Sequence, residues 1–160
     1  MEWHDNFVLL NSIVMEKILV LVDALNFKTE TLDFATYISR LSKSKLVGVF
    51  VENQVMDTMP AVKNIGGTVY VEEITTDPAV QKHHAELIQK NINAFKSGCT
   101  QREALCAAHY DKGRPTEKII EETRYADLLI LDPSFSFEED GRVPSKFVME
   151  LLNKAECLVK

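Results

Sequence analysis

The chain lacks the marks of several large protein classes. Its 160 residues hold three cysteines, Cys99, Cys106 and Cys157, and no Cys-x-x-Cys pair. An odd count without that spacing argues against a disulfide framework or a zinc finger, and suits buried or half-buried thiols in a reducing cytoplasm. No run approaches the ~18 consecutive apolar residues of a membrane span. The first fourteen residues contain Glu2 and Asp5 but no lysine or arginine, so they lack the positive segment of a secretory signal. Positive charge is in deficit overall: the net charge is −6, which speaks against a nucleic-acid partner. Ser134 and Ser136 have no Gly-x-Ser-x-Gly elbow around them, so no serine nucleophile is expected. Glycine is also missing from the turn Asp132-Pro133-Ser134-Phe135, which follows the apolar run Leu128-Leu129-Ile130-Leu131. Strand-to-helix turns of this kind grip phosphates through closely set backbone N–H groups, and a Cβ obstructs that approach.

What is present describes one ordinary domain, with 46% apolar and 26% charged residues and enough length to bury a core. Met15 stands directly before the first strong strand. Residues 1–14 are therefore read as an N-terminal extension and 15–160 as the domain. Lys17–Val22 is a continuous β-rich apolar run ending in Asp23, the pattern of a parallel strand covered on both faces. Thr29 is placed to cap a helix to about Ser42, with Leu32, Ala35, Ile38 and Leu41 near one face. Lys45–Val51 is a second strand. Pro60, Gly66 and Gly67 interrupt a variable connection in which 68–71 alternates weakly, as a short strand or hairpin arm does. Asp77-Pro78 opens a helix with Val80, His84, Leu87, Ile88, Asn91, Ile92 and Phe95 inward, and Gly98 is expected to close it. Ala104–Tyr110 is a third strand, and Gly113-Arg114-Pro115-Thr116 starts a helix with Ile119, Ile120 and Thr123 inward. Leu128–Leu131 is a fourth strand, Pro144-Ser145 begins a helix bearing Phe147, Val148, Leu151 and Leu152, and Leu158-Val159 opens a fifth. Alternation of this kind predicts an α/β fold: an open parallel sheet with helices on both faces.

Three stretches carry a family resemblance. They are Glu16–Asp23, Gly113-Arg114-Pro115-Thr116-Glu117-Lys118-Ile119-Ile120-Glu121, and Ala126-Asp127-Leu128-Leu129-Ile130-Leu131. In this order and spacing, from Met15 to Lys160, they resemble the universal stress protein family. The resemblance implies the adenine nucleotide alpha hydrolase-like fold, with strand order 3-2-1-4-5 and dimerisation through the fifth strand. It also implies a nucleotide loop, Gly-x-x-Gly-x(9)-Gly-Ser/Thr, after strand four. Laid on this chain, that template begins at Asp132 without a gap. Its glycines become Asp132, Phe135 and Ser145, and its Ser/Thr becomes Lys146. Asp132 puts negative charge where a polyphosphate would lie, and Phe135 fills space that its backbone contacts need. ATP or AMP is therefore not expected as a cofactor.

The resemblance also points to Asp23 as the acidic residue near a nucleotide and to Val51 as the adenine-side position. A carboxylate after a first parallel strand equally serves as a loop solvator. Arg142, Ser145 and Lys146, at the start of a helix, could together hold one phosphate or sulfate. The plainer reading of Lys146 is an exposed lysine neutralised by Glu150 at i+4. His109 and Asp111 share a strand face two residues apart, a pair able to act as a general base, but at the sheet edge and away from the crevice where such folds bind ligands. His83 and His84, about 100° apart on a helix, cannot chelate one metal together. Glu138-Glu139-Asp140 is read as a solvated acidic loop. Phe135 and Phe137 either cap the crevice or meet a partner; the plainer reading has one packed on the sheet edge and the other half-exposed. The fifth strand is short, so a partner is expected: a homodimer, or a second universal stress domain if this is the N-terminal half of a tandem protein. The functional expectation is a cytoplasmic, non-enzymatic stress-response or regulatory protein with a degenerate nucleotide loop and no catalytic or metal residues. The alternative is a sensor of an adenosine-like or anionic metabolite in the same crevice, with Asp23, Val51 and Lys146 as contacts.

Overall fold

The computed structural model describes residues 15–52, 60–65, 68–73, 77–112, 115–137 and 141–160. The 1–14 extension, Gly66-Gly67, Gly113-Arg114 and the acidic run 138–140 lie outside the described residues. The elements are β1 (Lys17–Asp23), α1 (Thr29–Ser42), β2 (Lys45–Val51), β3 (Pro60–Ile65), β4 (Thr68–Glu73), α2 (Pro78–Gln101), β5 (Cys106–Asp111), α3 (Pro115–Thr123), β6 (Leu128–Ile130), α4 (Lys146–Lys154) and β7 (Leu158–Val159). β3 and β4 form an antiparallel hairpin inserted in the connection between β2 and α2. The other five strands form one sheet ordered β5-β2-β1-β6-β7, parallel throughout. Counted as five strands, this is the expected order 3-2-1-4-5, with a fifth strand of two residues.

β1 is central because it can be buried on both faces: Ile18 to Val22 are all at most 5% exposed. Successive side chains point to opposite faces, which divides the core in two. Ile18, Val20, Val22, Leu46 and Phe50 pack with Leu32 of α1 and Ile88, Ile92, Phe95 and Cys99 of α2. Leu19, Leu21, Val47, Val49 and Val51 pack on the other side with Ile119 of α3 and Phe147, Val148 and Leu151 of α4. Phe27, Phe50 and Phe95 form an aromatic group, the last two edge-to-face at 5.7 Å between centroids. Gly48 makes room for it: a Cβ there would lie 2.8 Å from Phe95 Cζ.

Several boundaries differ from expectation. Thr29 does not cap α1. It is the first helical residue, and Lys28 occupies the N-cap position without a side-chain hydrogen bond. Gly98 does not close α2, which continues to Gln101. Gly98 instead lets Leu32 approach, since a Cβ would fall 2.5 Å from Leu32 Cδ2. The left-handed positions after α1 and α2 are filled by Lys43 (φ 56°) and Glu103 (φ 54°). Leu41, Val80 and Leu152, expected inward, are exposed. Asp77 accepts from the Ala79 N–H at 2.8 Å and, with Pro78, starts α2 as expected.

Asp127 joins the two strands that frame the crevice. Its Oδ2 accepts from the backbone N–H of Glu16 (2.8 Å) and Lys17 (3.0 Å), and its own N–H donates to the Lys17 carbonyl (2.9 Å). The aspartate in the resemblance-bearing stretch thus anchors the start of β1 to the approach of β6.

Candidate functional site

β1 pairs with β2 on one side and β6 on the other, with connections running to opposite faces. In open parallel sheets ligands collect in the crevice beyond the strand ends at such a reversal. Here that crevice is about 140 Å³, with Asp23, Asn26, Phe27 and Lys28 on one wall and Asp132, Ser134, Phe135 and Ser136 on the other. Small-molecule sites are typically about 300–1,000 Å³, so the space is small for a nucleotide.

The walls hold themselves in place. Asp23 Oδ1 accepts from the N–H groups of Leu25 (2.9 Å) and Asn26 (3.2 Å), the loop-solvating role. Asp132 does more. Its Oδ1 accepts from the Ser134 N–H (2.8 Å) and hydroxyl (2.6 Å), and its carbonyl accepts from the Phe135 N–H (2.9 Å). Its Oδ2 meets Lys28 Nζ at 3.1 Å, tying the two walls together. The Ser134 hydroxyl is the largest influence and holds the Asp132 carboxyl below its usual range; burial opposes it, and the Ser134 N–H and Lys28 add to the lowering. Two N–H groups that a glycine-rich turn would offer to a phosphate are therefore already taken, one of them by a carboxylate.

Of the six residues singled out in the sequence, only Asp23 and Asp132 line this crevice. Val51 is fully buried among the residues facing α3 and α4, and reaches the neighbouring loop through its carbonyl, which accepts from the Ala24 N–H at 2.9 Å. Ser145 is a buried N-cap: its hydroxyl donates to the Phe135 carbonyl and accepts from the Val148 N–H at 3.1 Å. Arg142 and Lys146 are exposed on either side of it, and Glu150 pairs with Lys154 at 2.6 Å. Phe135, Phe137 and Phe147 form a second aromatic group, with centroids 4.6–5.4 Å apart. Phe135 both packs on the α4 side of the core and lines the crevice.

Lys28 was not singled out in the sequence because its partner lies 104 residues away. Nor was Glu52, which the sequence shows only as a polar residue after a strand. It is 7% exposed, accepts from the Tyr110 hydroxyl, and lies 3.1 Å from His84 Nδ1, in a groove of about 260 Å³ beside α2. His83 is exposed and His84 half-buried, so the two do not act together. Cys99 is buried, and burial together with Cys106 pushes its thiol up to about 12. Burial likewise raises Cys157. Both favour the unreactive protonated thiol.

No protein-family model and no curated protein matches the chain. Solved structures do. The chain is similar to a universal stress protein family member from Burkholderia pseudomallei at 18% identity and TM-score 0.58, covering 92% of this chain and 95% of that one. A universal stress protein family protein from Arabidopsis thaliana with AMP bound aligns at 17% identity and TM-score 0.54, over 91% and 89% of the two chains. The universal stress protein from Archaeoglobus fulgidus in complex with dAMP aligns at 16% and 0.58, over 92% and 97%. The fold is that of the universal stress proteins.

Proposed function

We propose that the chain is a stress-response or regulatory protein of the universal stress type that works through protein contacts and not through a bound adenine nucleotide. The observation that carries this reading is Asp132. Its carboxylate takes the Ser134 N–H and its carbonyl the Phe135 N–H of the turn after β6, and its charge stands where a polyphosphate would have to approach. Among the described residues the crevice assembles no nucleophile, base and orienting group, and a non-enzymatic role is part of the proposal. Among the described residues no helix is long and apolar enough to cross a membrane.

Isothermal titration with Mg-ATP, AMP and cyclic AMP tests the reading. No heat of binding is expected up to millimolar nucleotide; micromolar affinity for any of the three would overturn it. The second reading, a sensor for a small ligand, is favoured by one feature: the crevice persists at the strand reversal, bridged by the Lys28–Asp132 pair. A ligand that fits it raises the melting midpoint in a metabolite screen, while an empty screen removes the sensor.

Pairing is the other part of the proposal. β7 is a two-residue strand with a described neighbour on one side only; its Leu158 is exposed, as are Met149 and Leu152 of the preceding helix α4. An unpaired edge beside exposed apolar side chains is suited to a second copy or a second domain of the same kind.

A further inference from the structure

On the face of the edge strand β5 that looks toward α3, three chemically matched side chains meet. His109 and Asp111 lie two apart on the strand, and Glu122 comes from the last turn of α3. His109 Nε2 is 2.7 Å from Glu122 Oε1 and 3.6 Å from Asp111 Oδ2. Taking one ligand atom from each residue, all three atoms lie within 4.8 Å of one another. We propose that these three residues form a binding site for a single divalent transition-metal ion of the zinc class.

Zinc holds nitrogen and oxygen ligands at about 2.0–2.2 Å, which sets tetrahedral ligand atoms about 3.4 Å apart. The 3.6 Å separation is close to that value. The 2.7 Å separation is a hydrogen bond between His109 and Glu122, which the entering ion replaces as the two side chains part slightly. An imidazole and two carboxylates, with no thiolate, suit zinc, manganese or ferrous iron over softer ions. Three protein ligands leave a further position for water or a small anion.

A second observation is independent of this spacing. Asp111 Oδ2 is buried and accepts no hydrogen bond among the described residues. A buried charged acceptor without a hydrogen bond is costly, so this oxygen favours a cation beside it. The lysines nearby do not meet that need. Lys118 Nζ is 3.7 Å from the other Asp111 oxygen, Oδ1, and Lys17 Nζ is 4.0 Å from the other Glu122 oxygen, Oε2. Each lysine takes the second oxygen of its carboxylate, leaving Oδ2 and Oε1 beside His109 Nε2. The site lies on the α3 side of the outermost strand and is distinct from the crevice at the ends of β1 and β6.

The competing description is an ion-pair cluster in which a protonated His109 bridges the carboxylates. Metal titration separates the two. Full-length protein stripped with chelator is titrated with zinc, and bound metal is counted after dialysis. The expected result is one equivalent bound at micromolar zinc, a melting midpoint raised by several degrees at ~100-fold excess over Kd, and loss of both in His109→Gln and Glu122→Gln. Cobalt in place of zinc is expected to give d–d absorption without a thiolate charge-transfer band. Asp111→Asn keeps the shape of the site, so it is expected to retain the native circular dichroism while losing at least tenfold in zinc affinity. The proposal is overturned if the wild-type chain binds no zinc at micromolar concentration. It is equally overturned if the stoichiometric ion survives in folded Asp111→Asn, or if the cobalt spectrum shows thiolate ligation.

Discussion

Asp132 supplies its own turn with the negative charge that a glycine-rich turn takes from a ligand. Its Oδ1 takes the Ser134 N–H and hydroxyl and its Oδ2 takes Lys28, and these contacts lower its folded-state pKa. A depressed carboxylate stabilises the fold fully above its unfolded pKa, and that contribution is lost as pH falls through the folded value. Asp132→Asn keeps an oxygen able to accept from Ser134 but carries no charge. Thermal melts of the two proteins are therefore expected to differ most above about pH 5 and to converge toward pH 2–3, given an unfolded carboxyl near 3.9. Because the group is largely solvated, the gap should be small, and shrink further in high salt. A gap that widens on acidification contradicts this account. The substitution at this position was legible in the sequence because the loop template aligns without a gap. What Asp132 does with its charge was not, since Lys28 reaches it only through the fold.

At the scale of elements, α4 depends on Ser145. The hydroxyl caps the Val148 N–H and at the same time donates to the Phe135 carbonyl, so one buried group fastens the helix start to the crevice wall. Ser145→Ala is expected to cost about 1–2 kcal/mol, the upper range for a lost cap because a buried carbonyl also loses its donor. Urea unfolding checks this, as a lower midpoint at unchanged slope; an unchanged midpoint would show that the cap is dispensable. The strands were the most legible elements. Lys45–Val51 was read at its observed bounds, and Lys17–Val22 within one residue, because an apolar run covered on both faces has no other stable place in such a fold. Helix ends were less legible for a physical reason. Gly98 carries the signature of a terminator, but its lack of a side chain is used for helix-to-helix approach at Leu32, a contact 66 positions away in the chain. Leu41 and Val80 follow the helical repeat and still face solvent, because among the described residues no element covers those ends of α1 and α2.

At the scale of the molecule, the expectation is self-association through β7. Light scattering coupled to size-exclusion chromatography is expected to give twice the chain mass at ~100 µM, and Leu158→Lys, which places a charge on the open edge, is expected to give the monomer. A monomeric wild type at that concentration contradicts the pairing proposal while leaving the nucleotide proposal standing. The opposite edge was less transparent in the sequence. His109 and Asp111 stood out as a pair, but Glu122 joins them only because α3 returns across the sheet.

That outermost strand carries one polar assembly on each side: Tyr110 reaches Glu52, which also meets His84 of α2, while His109 and Asp111 meet Glu122 of α3. The preceding Ala107 and Ala108 are too slight to enforce alignment with β2 by shape. Slipping β5 by a single residue would turn each set of polar groups into the opposite compartment, away from its partners. The alignment of this strand is thus proofread by chemistry on both sides at once. Inserting or deleting one residue in 103–105 should therefore be tolerated far less than the loop's exposure suggests.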